Sequence, residues 1–174
     1  MLKKYSNKLV TLNWITVPLI ILSLVMGTFV LAEMPNNLEK INSLQVHMII
    51  GFVIGILTLI RIFVKKNHLP LEPLKVENEA RKKLIKVTHF ALYTLILLMV
   101  ASGIILSILS GLGEIVFFGS SAPIPEDFSI YLPRKAHGIF AKVLFAFIGI
   151  HIVGVILYKF KTDSSISKRM WFGK

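Results

Sequence analysis

The side chains with the greatest chemical potential in this sequence are five histidines: His47, His68, His89, His137 and His151. There is no cysteine, which excludes disulfides, thiolate metal sites and iron–sulfur clusters and leaves imidazole or oxygen to hold any metal. Four of the five histidines lie inside long apolar runs. His68 sits among Lys66, Asn67 and Pro70 and reads as solvated. An ionisable side chain inside an apolar span is costly, so each of the four is a candidate functional group. For a single such residue, a plain hydrogen bond between two helices is an equally good explanation.

Spacing changes that balance. His151 follows His137 by fourteen residues on one apolar run. At about 100° per residue this falls about 40° short of four turns, so both imidazoles leave one helix face, about 21 Å apart in rise. His47 stands near the start of another run, at a depth that matches His137 if both runs begin on the same side of a membrane. Two imidazoles from facing helices clamp a haem iron from both sides. Haem b is therefore the expected cofactor, with His47 and His137 at one site and His151 at a second. His89, with Tyr93 one turn later, lies at about the depth of His151. A porphyrin also needs room. Gly51 and Gly55 follow His47 at four and eight residues, and Gly138, Ala141, Gly149 and Gly154 accompany the other two. Small residues of this kind also serve simply to let membrane helices pack closely.

The elements that must position these groups are transmembrane helices. The chain has 174 residues, 55% of them hydrophobic, and a mean hydropathy of +0.74, too apolar for an ordinary soluble domain. Four runs, near 10–31, 44–64, 84–108 and 136–158, are long enough to span the hydrocarbon core. The expected fold is an all-α, four-helix transmembrane bundle forming one domain over 1–174. The first run is too long for the core of a cleavable signal peptide. A net charge of +11 invites a nucleic-acid reading, but the basic residues lie between apolar runs rather than in a soluble patch. Sixteen of the twenty fall at the termini and in the second connection. Only Lys40, Arg134 and Lys135 fall in the other two connections, and Lys142 lies within the fourth span. Lysine and arginine favour cytoplasmic loops, so both termini are expected to be cytoplasmic. The 109–135 connection, with Phe117, Phe118, Phe128 and Tyr131, reads as a partly helical cap on the outer surface. The 67–78 segment, with Pro70 and Pro73, reads as an extended loop.

At these residues the sequence resembles the bacterial cytochrome b561 family, four-helix di-haem cytochromes linked to quinone. The similarity runs from "KYSNKLVTLNWITVPLI" through "VHMIIGFVIGILTLIRI" and "THFALYTLILLMVASGI" to "KAHGIFAKVLFAFIGIHIVGVILY". The resemblance implies that His47 and His137 bind an outer haem. It implies that His151 pairs, at an inner haem, with a first-helix histidine that precedes a tryptophan. Here that position is Asn13, followed by Trp14, and a neutral amide is a poor iron ligand. Three arrangements of the inner site follow: His89 replaces the missing ligand, the iron is five-coordinate, or the site holds no haem. His89 also has a reading as a group that holds a haem propionate or a quinone. Two haems are the expectation and one is the alternative.

The function expected from this is electron transfer in the bacterial inner membrane, exchanging electrons with ubiquinone or menaquinone. One branch of the resembled family oxidises superoxide at the outer haem, which would make the protein a superoxide:quinone oxidoreductase. Arg134, Lys135 and Lys142 are placed to guide an anion there, or simply to anchor the helix end and snorkel. Two other readings are a cytochrome b subunit for a dehydrogenase or hydrogenase, and a haem-free scaffold or small transporter. The broken helices and paired intramembrane charges that would favour transport are not seen. Expected partners are lipid, quinone and superoxide or a redox protein, without nucleic acid.

Overall fold

The computed structural model describes residues 5–67, 79–162 and 170–172, apart from the side chains of 161 and 162. Within these residues every regular element is helical: α1 (Asn7–Val25) with a π-helical continuation (Met26–Val30), α2 (Leu38–Lys66), α3 (Glu79–Leu109), the short α4 (Leu112–Phe118), a 3₁₀ turn (Phe128–Ile130) and α5 (Leu132–Thr162). His68, Pro70 and Pro73 lie outside the described residues. Four stretches are long and apolar enough to cross a membrane: Asn7–Val30, Leu38–Lys66, Glu79–Leu109 and Leu132–Phe160. Each carries bulky apolar side chains outward, among them Phe52, Phe63, Phe90, Phe145 and Phe160. Helices apolar on all sides are soluble in lipid rather than in water.

Local chemistry sets the helix ends. Ser6 caps α1 by accepting from the Leu9 amide, and Asn37 caps α2 by accepting from the Lys40 amide at 3.0 Å. Glu39 in the first turn of α2 and Lys65 and Lys66 in its last complement the helix dipole. Gly111 and Gly119, both at positive φ, start and stop α4 with a backbone that other residues rarely adopt. Buried Leu112, Ile115 and Val116 then seat α4 against α2 and α3, and Gln45 donates to the Val116 carbonyl at 3.3 Å. The connection between the third and fourth spans is thus partly helical. This connection marks the cap end of the bundle.

The bundle is packed in order, α1 on α2, α2 on α3 and α3 on α5, whereas α1 and α5 scarcely meet. At its centre lie buried Ile20, Ile54, Ile96 and Leu144, one from each long helix, with Leu24 and Leu95 beside them. These four residues have a simple relation to the polar ones. Seven residues towards the cap end from each lie Gly27, His47, Gly103 and His137; seven towards the other end lie Asn13, Arg61, His89 and His151. A seven-residue step keeps a position on the same seam of packed helices. The bundle is therefore stacked as a cap-end polar layer, an aliphatic septum and an opposite polar layer.

Candidate cofactor site

In the cap-end layer the His47 and His137 rings face each other from α2 and α5, with centroids 6.4 Å apart and planes at 71°. Each leans on a neighbouring helix that offers a serine and a glycine. The Ser23 hydroxyl of α1 lies 3.4 Å from His47 Nδ1, and a Cβ on Gly27 would stand 3.0 Å from His47 Cε1. On the other side, the Ser102 hydroxyl of α3 lies 3.0 Å from His137 Nδ1, and a Cβ on Gly103 would stand 3.4 Å from His137 Cε1. Gly27 belongs to the π-helical turn, closed by Leu31 N–H donating to Met26 O at 2.9 Å. That local widening brings the backbone of α1 up to the imidazole, a common use of π-turns.

Hydrogen bonding fixes which nitrogen of His137 is free. The Ser102 hydroxyl gives its only proton to the Met99 carbonyl, at 2.9 Å. Its oxygen therefore accepts from His137 Nδ1–H, and Nε2 keeps its lone pair. This is how metal-binding histidines are oriented: one nitrogen held, the other presented to the ion. One iron between two imidazoles needs ring nitrogens about 4 Å apart, hence centroids about 6 Å apart, taking metal–nitrogen bonds near those of zinc. The cap-end pair has that separation.

The opposite layer differs. His89 and His151 meet edge to face with centroids only 5.1 Å apart and planes at 87°. The His89 Nδ1–H donates to the Ile85 carbonyl at 2.7 Å, which again leaves Nε2 unprotonated. Asn13 does not stand free: its side-chain oxygen accepts a hydrogen bond from Arg61 Nη1. Arg61 reads in the sequence as one more cytoplasmic topology determinant. In the structure its guanidinium reaches into the bundle, lies 5.9 Å from the Tyr93 ring centroid, and buries an Nε that has no hydrogen-bond partner among the described residues. Lys65 Nζ approaches the same ring at 5.3 Å, within the range of cation–π attraction. Next along the chain, Trp14 donates to the Met170 carbonyl at 2.8 Å and packs edge to face on Trp171, so the C-terminal residues return to the start of α1.

The glycines divide. A Cβ on Gly51 would meet nothing within 4 Å, and the same holds for Gly149 and Gly154. One on Gly55 would lie 3.0 Å from Val100, so Gly55 serves the contact of α2 with α3 and clears no space for a ligand. The sequence reading passed over Ser23, Gly27, Ser102, Gly103 and the inward role of Arg61. Seven-residue steps join Gly103 to His89 and Arg61 to His47 and were available in the sequence, whereas Ser23 and Ser102 fall on no such step.

The model of prokaryotic cytochrome b561 matches residues 4–173, nearly the whole chain. The chain belongs to the prokaryotic cytochrome b561 family. Cytochromes of this family bind haem b and carry electrons, and four apolar helices make this member a multi-pass membrane protein. No curated protein matches the chain. The chemistry of the cap-end layer suits the family's cofactor: two imidazoles with centroids 6.4 Å apart, that of His137 with its Nε2 free, beside open space at Gly51.

Proposed function

We propose that the protein is a haem b electron carrier of the bacterial inner membrane that exchanges electrons with the quinone pool, ubiquinone or menaquinone. The observation that carries this reading is the His47–His137 pair at 6.4 Å, combined with His151 fourteen residues further along α5. His47 and His137 are its axial ligands at the cap end, and His151 serves a second haem in the opposite layer. Haem bound there supplies the one-electron ferric/ferrous couple. Ser102 holds His137 in the tautomer that presents Nε2, and α5 keeps His137 and His151 about 21 Å apart in rise. The distribution of basic residues supports an orientation with both termini in the cytoplasm and the cap outside.

Superoxide oxidation at the outer face is the catalytic form of this reading. Arg134 lies one turn before His137 in α5, next to Lys135, and these charges attract an anion towards the cap-end layer.

A pyridine haemochrome titration of the purified protein counts its haems. Replacing His47 with alanine is expected to remove one low-spin haem. An unchanged haem-to-protein ratio in that variant refutes the ligand assignment, and a colourless wild-type protein refutes the electron-carrier reading altogether. Reduction of the bound haem by a superoxide pulse, followed by its reoxidation by added quinone, tests the catalytic form.

A further inference from the structure

The two polar layers are built on the same four seams yet are filled differently, and the difference bears on what each can do to an iron. At the cap end the imidazoles come from α2 and α5, while the matching positions on the other two spans are the glycines Gly27 and Gly103. In the opposite layer α5 again gives a histidine, His151. The α2 position is Arg61, the α1 position is Asn13, and these two are hydrogen-bonded to each other. The α3 position, matching Gly103, is His89.

Gly103 lies against the edge of His137, beside the imidazole rather than across from it. His89 holds the same place beside His151. α3 packs more extensively on α5 than on any other helix, and the two rings touch edge to face at 5.1 Å. That is about 1 Å less than an iron between two imidazoles requires, taking the same metal–nitrogen distance as before. The space on the other side of α5 is different in kind, because α1 and α5 scarcely meet. Asn13 and Gly27 are fourteen residues apart on α1, and His151 and His137 are fourteen apart on α5, so Asn13 stands at the depth of His151 across that gap. With its oxygen engaged by Arg61, the Asn13 carboxamide still has its N–H donors to offer. Arg61 is itself braced over Tyr93 and lies within electrostatic reach of both imidazoles. Among the described residues no carboxylate pairs with Arg61 or Lys65.

We propose that the Asn13–Arg61 pair makes this layer a one-histidine haem site, in which His151 is the sole axial imidazole, His89 only stands beside it, and the open iron position facing Asn13 admits a small ligand. The ligand class is a diatomic π-acceptor on reduced iron or a small anion such as cyanide or azide on oxidised iron. The carboxamide N–H groups and the guanidinium charge stabilise the electron-rich end of either. This inference rests on the haem reading above, but its failure is distinguishable, since the His47–His137 site is fully ligated and does not react.

The test uses the holoprotein purified in detergent, with carbon monoxide as the probe. On reduction, one of two haems is expected to shift its Soret band with carbon monoxide, and the oxidised protein is expected to show one high-spin and one low-spin electron paramagnetic resonance signal. Asn13→His is expected to keep the haem count, abolish carbon monoxide binding and convert the high-spin signal to low-spin. His89→Ala is expected to retain both the second haem and its reaction with carbon monoxide. Two low-spin haems that ignore carbon monoxide overturn the proposal, and loss of one of them in His89→Ala would identify His89 as the opposing ligand instead. A single haem that survives His151→Ala and is lost in His47→Ala also overturns it, while leaving the cap-end assignment intact.

Discussion

Ser102 offers the sharpest test of how the protein controls its cap-end imidazoles. Its hydroxyl accepts from His137 Nδ1–H at 3.0 Å while donating to the Met99 carbonyl at 2.9 Å, and the residue is buried. Ser102→Ala removes this acceptor and leaves the His137 N–H with the Met99 carbonyl as its remaining partner. Losing one such hydrogen bond costs about 0.5–1.5 kcal/mol, and loss of an outer partner of a metal-binding histidine typically costs roughly 10–100-fold in affinity. The two ranges meet near tenfold, which is about 1.4 kcal/mol. At Ser23 the corresponding distance is 3.4 Å, so Ser23→Ala is expected to have the smaller effect. Haem transfer from each detergent-solubilised variant to an excess of a haem-scavenging protein gives the dissociation rates. Ser102→Ala should release the cap-end haem about tenfold faster than wild type, and Ser102→Thr, which keeps the hydroxyl, should restore retention. Loss of the Ser102 hydrogen bond also makes the imidazole a poorer donor to ferric iron, so the midpoint potential of that haem should rise. Equal behaviour of Ser102→Ala and wild type in both measurements would refute the tautomer argument, as would a larger effect at Ser23.

The glycines give a second test. Gly55→Ala places a methyl 3.0 Å from Val100 and should lower thermal stability of apoprotein and holoprotein alike, by about the 1–3 kcal/mol usual for overpacking. Gly51→Ala meets no protein atom, so it should leave the apoprotein unchanged and weaken only haem binding; equal destabilisation of both forms would show that Gly51 serves helix packing. Gly27→Ala pushes against His47 Cε1 at 3.0 Å and should broaden or shift the cap-end low-spin signal, while an unaltered spectrum would remove the π-turn from the site. At the exposed 3₁₀ turn, hydrogen bonds from the Ser129 hydroxyl and amide hold the Asp127 carboxyl below its usual range. A depressed carboxyl stabilises the turn above its unfolded pKa and loses that contribution as pH falls through the folded value. The Ser129 amide resonance should therefore titrate below the ordinary aspartate range and cease to do so in Asp127→Asn.

Much of the architecture is legible in the sequence because the membrane makes few demands and enforces them strictly. Spans of sufficient length and apolarity must be helices, and Gly111 and Gly119 punctuate the short helix of the cap. The histidine spacing on α5 is readable for the same reason: a rigid helix converts fourteen residues into a fixed rise and phase. Side-chain direction across helices is harder to read. Arg61 sits among basic residues at the end of an apolar run, and only the packing of α1 against α2 turns it inward onto Asn13. Gly55 and Gly51 share a face of α2 by spacing, but the nearness of Val100 on α3 separates a packing glycine from one that borders open space. Ser23 and Ser102 carry no distinguishing local signal, since a serine in a membrane helix more often bonds to its own backbone.

The aliphatic septum has a consequence for the traffic of charge. Ile20, Ile54, Ile96 and Leu144 offer no lone pair and no exchangeable hydrogen, so a file of water molecules finds nothing along them to hold on to. A proton, which moves by hopping between such partners, is stopped there, whereas an electron tunnels through hydrocarbon without needing them. Passage of one electron between the layers is then uncompensated within the protein. With haem in both layers, the bundle would act as a conductor for one kind of particle set in an insulating plug, and every turnover across it would register as a displacement of charge through the bilayer.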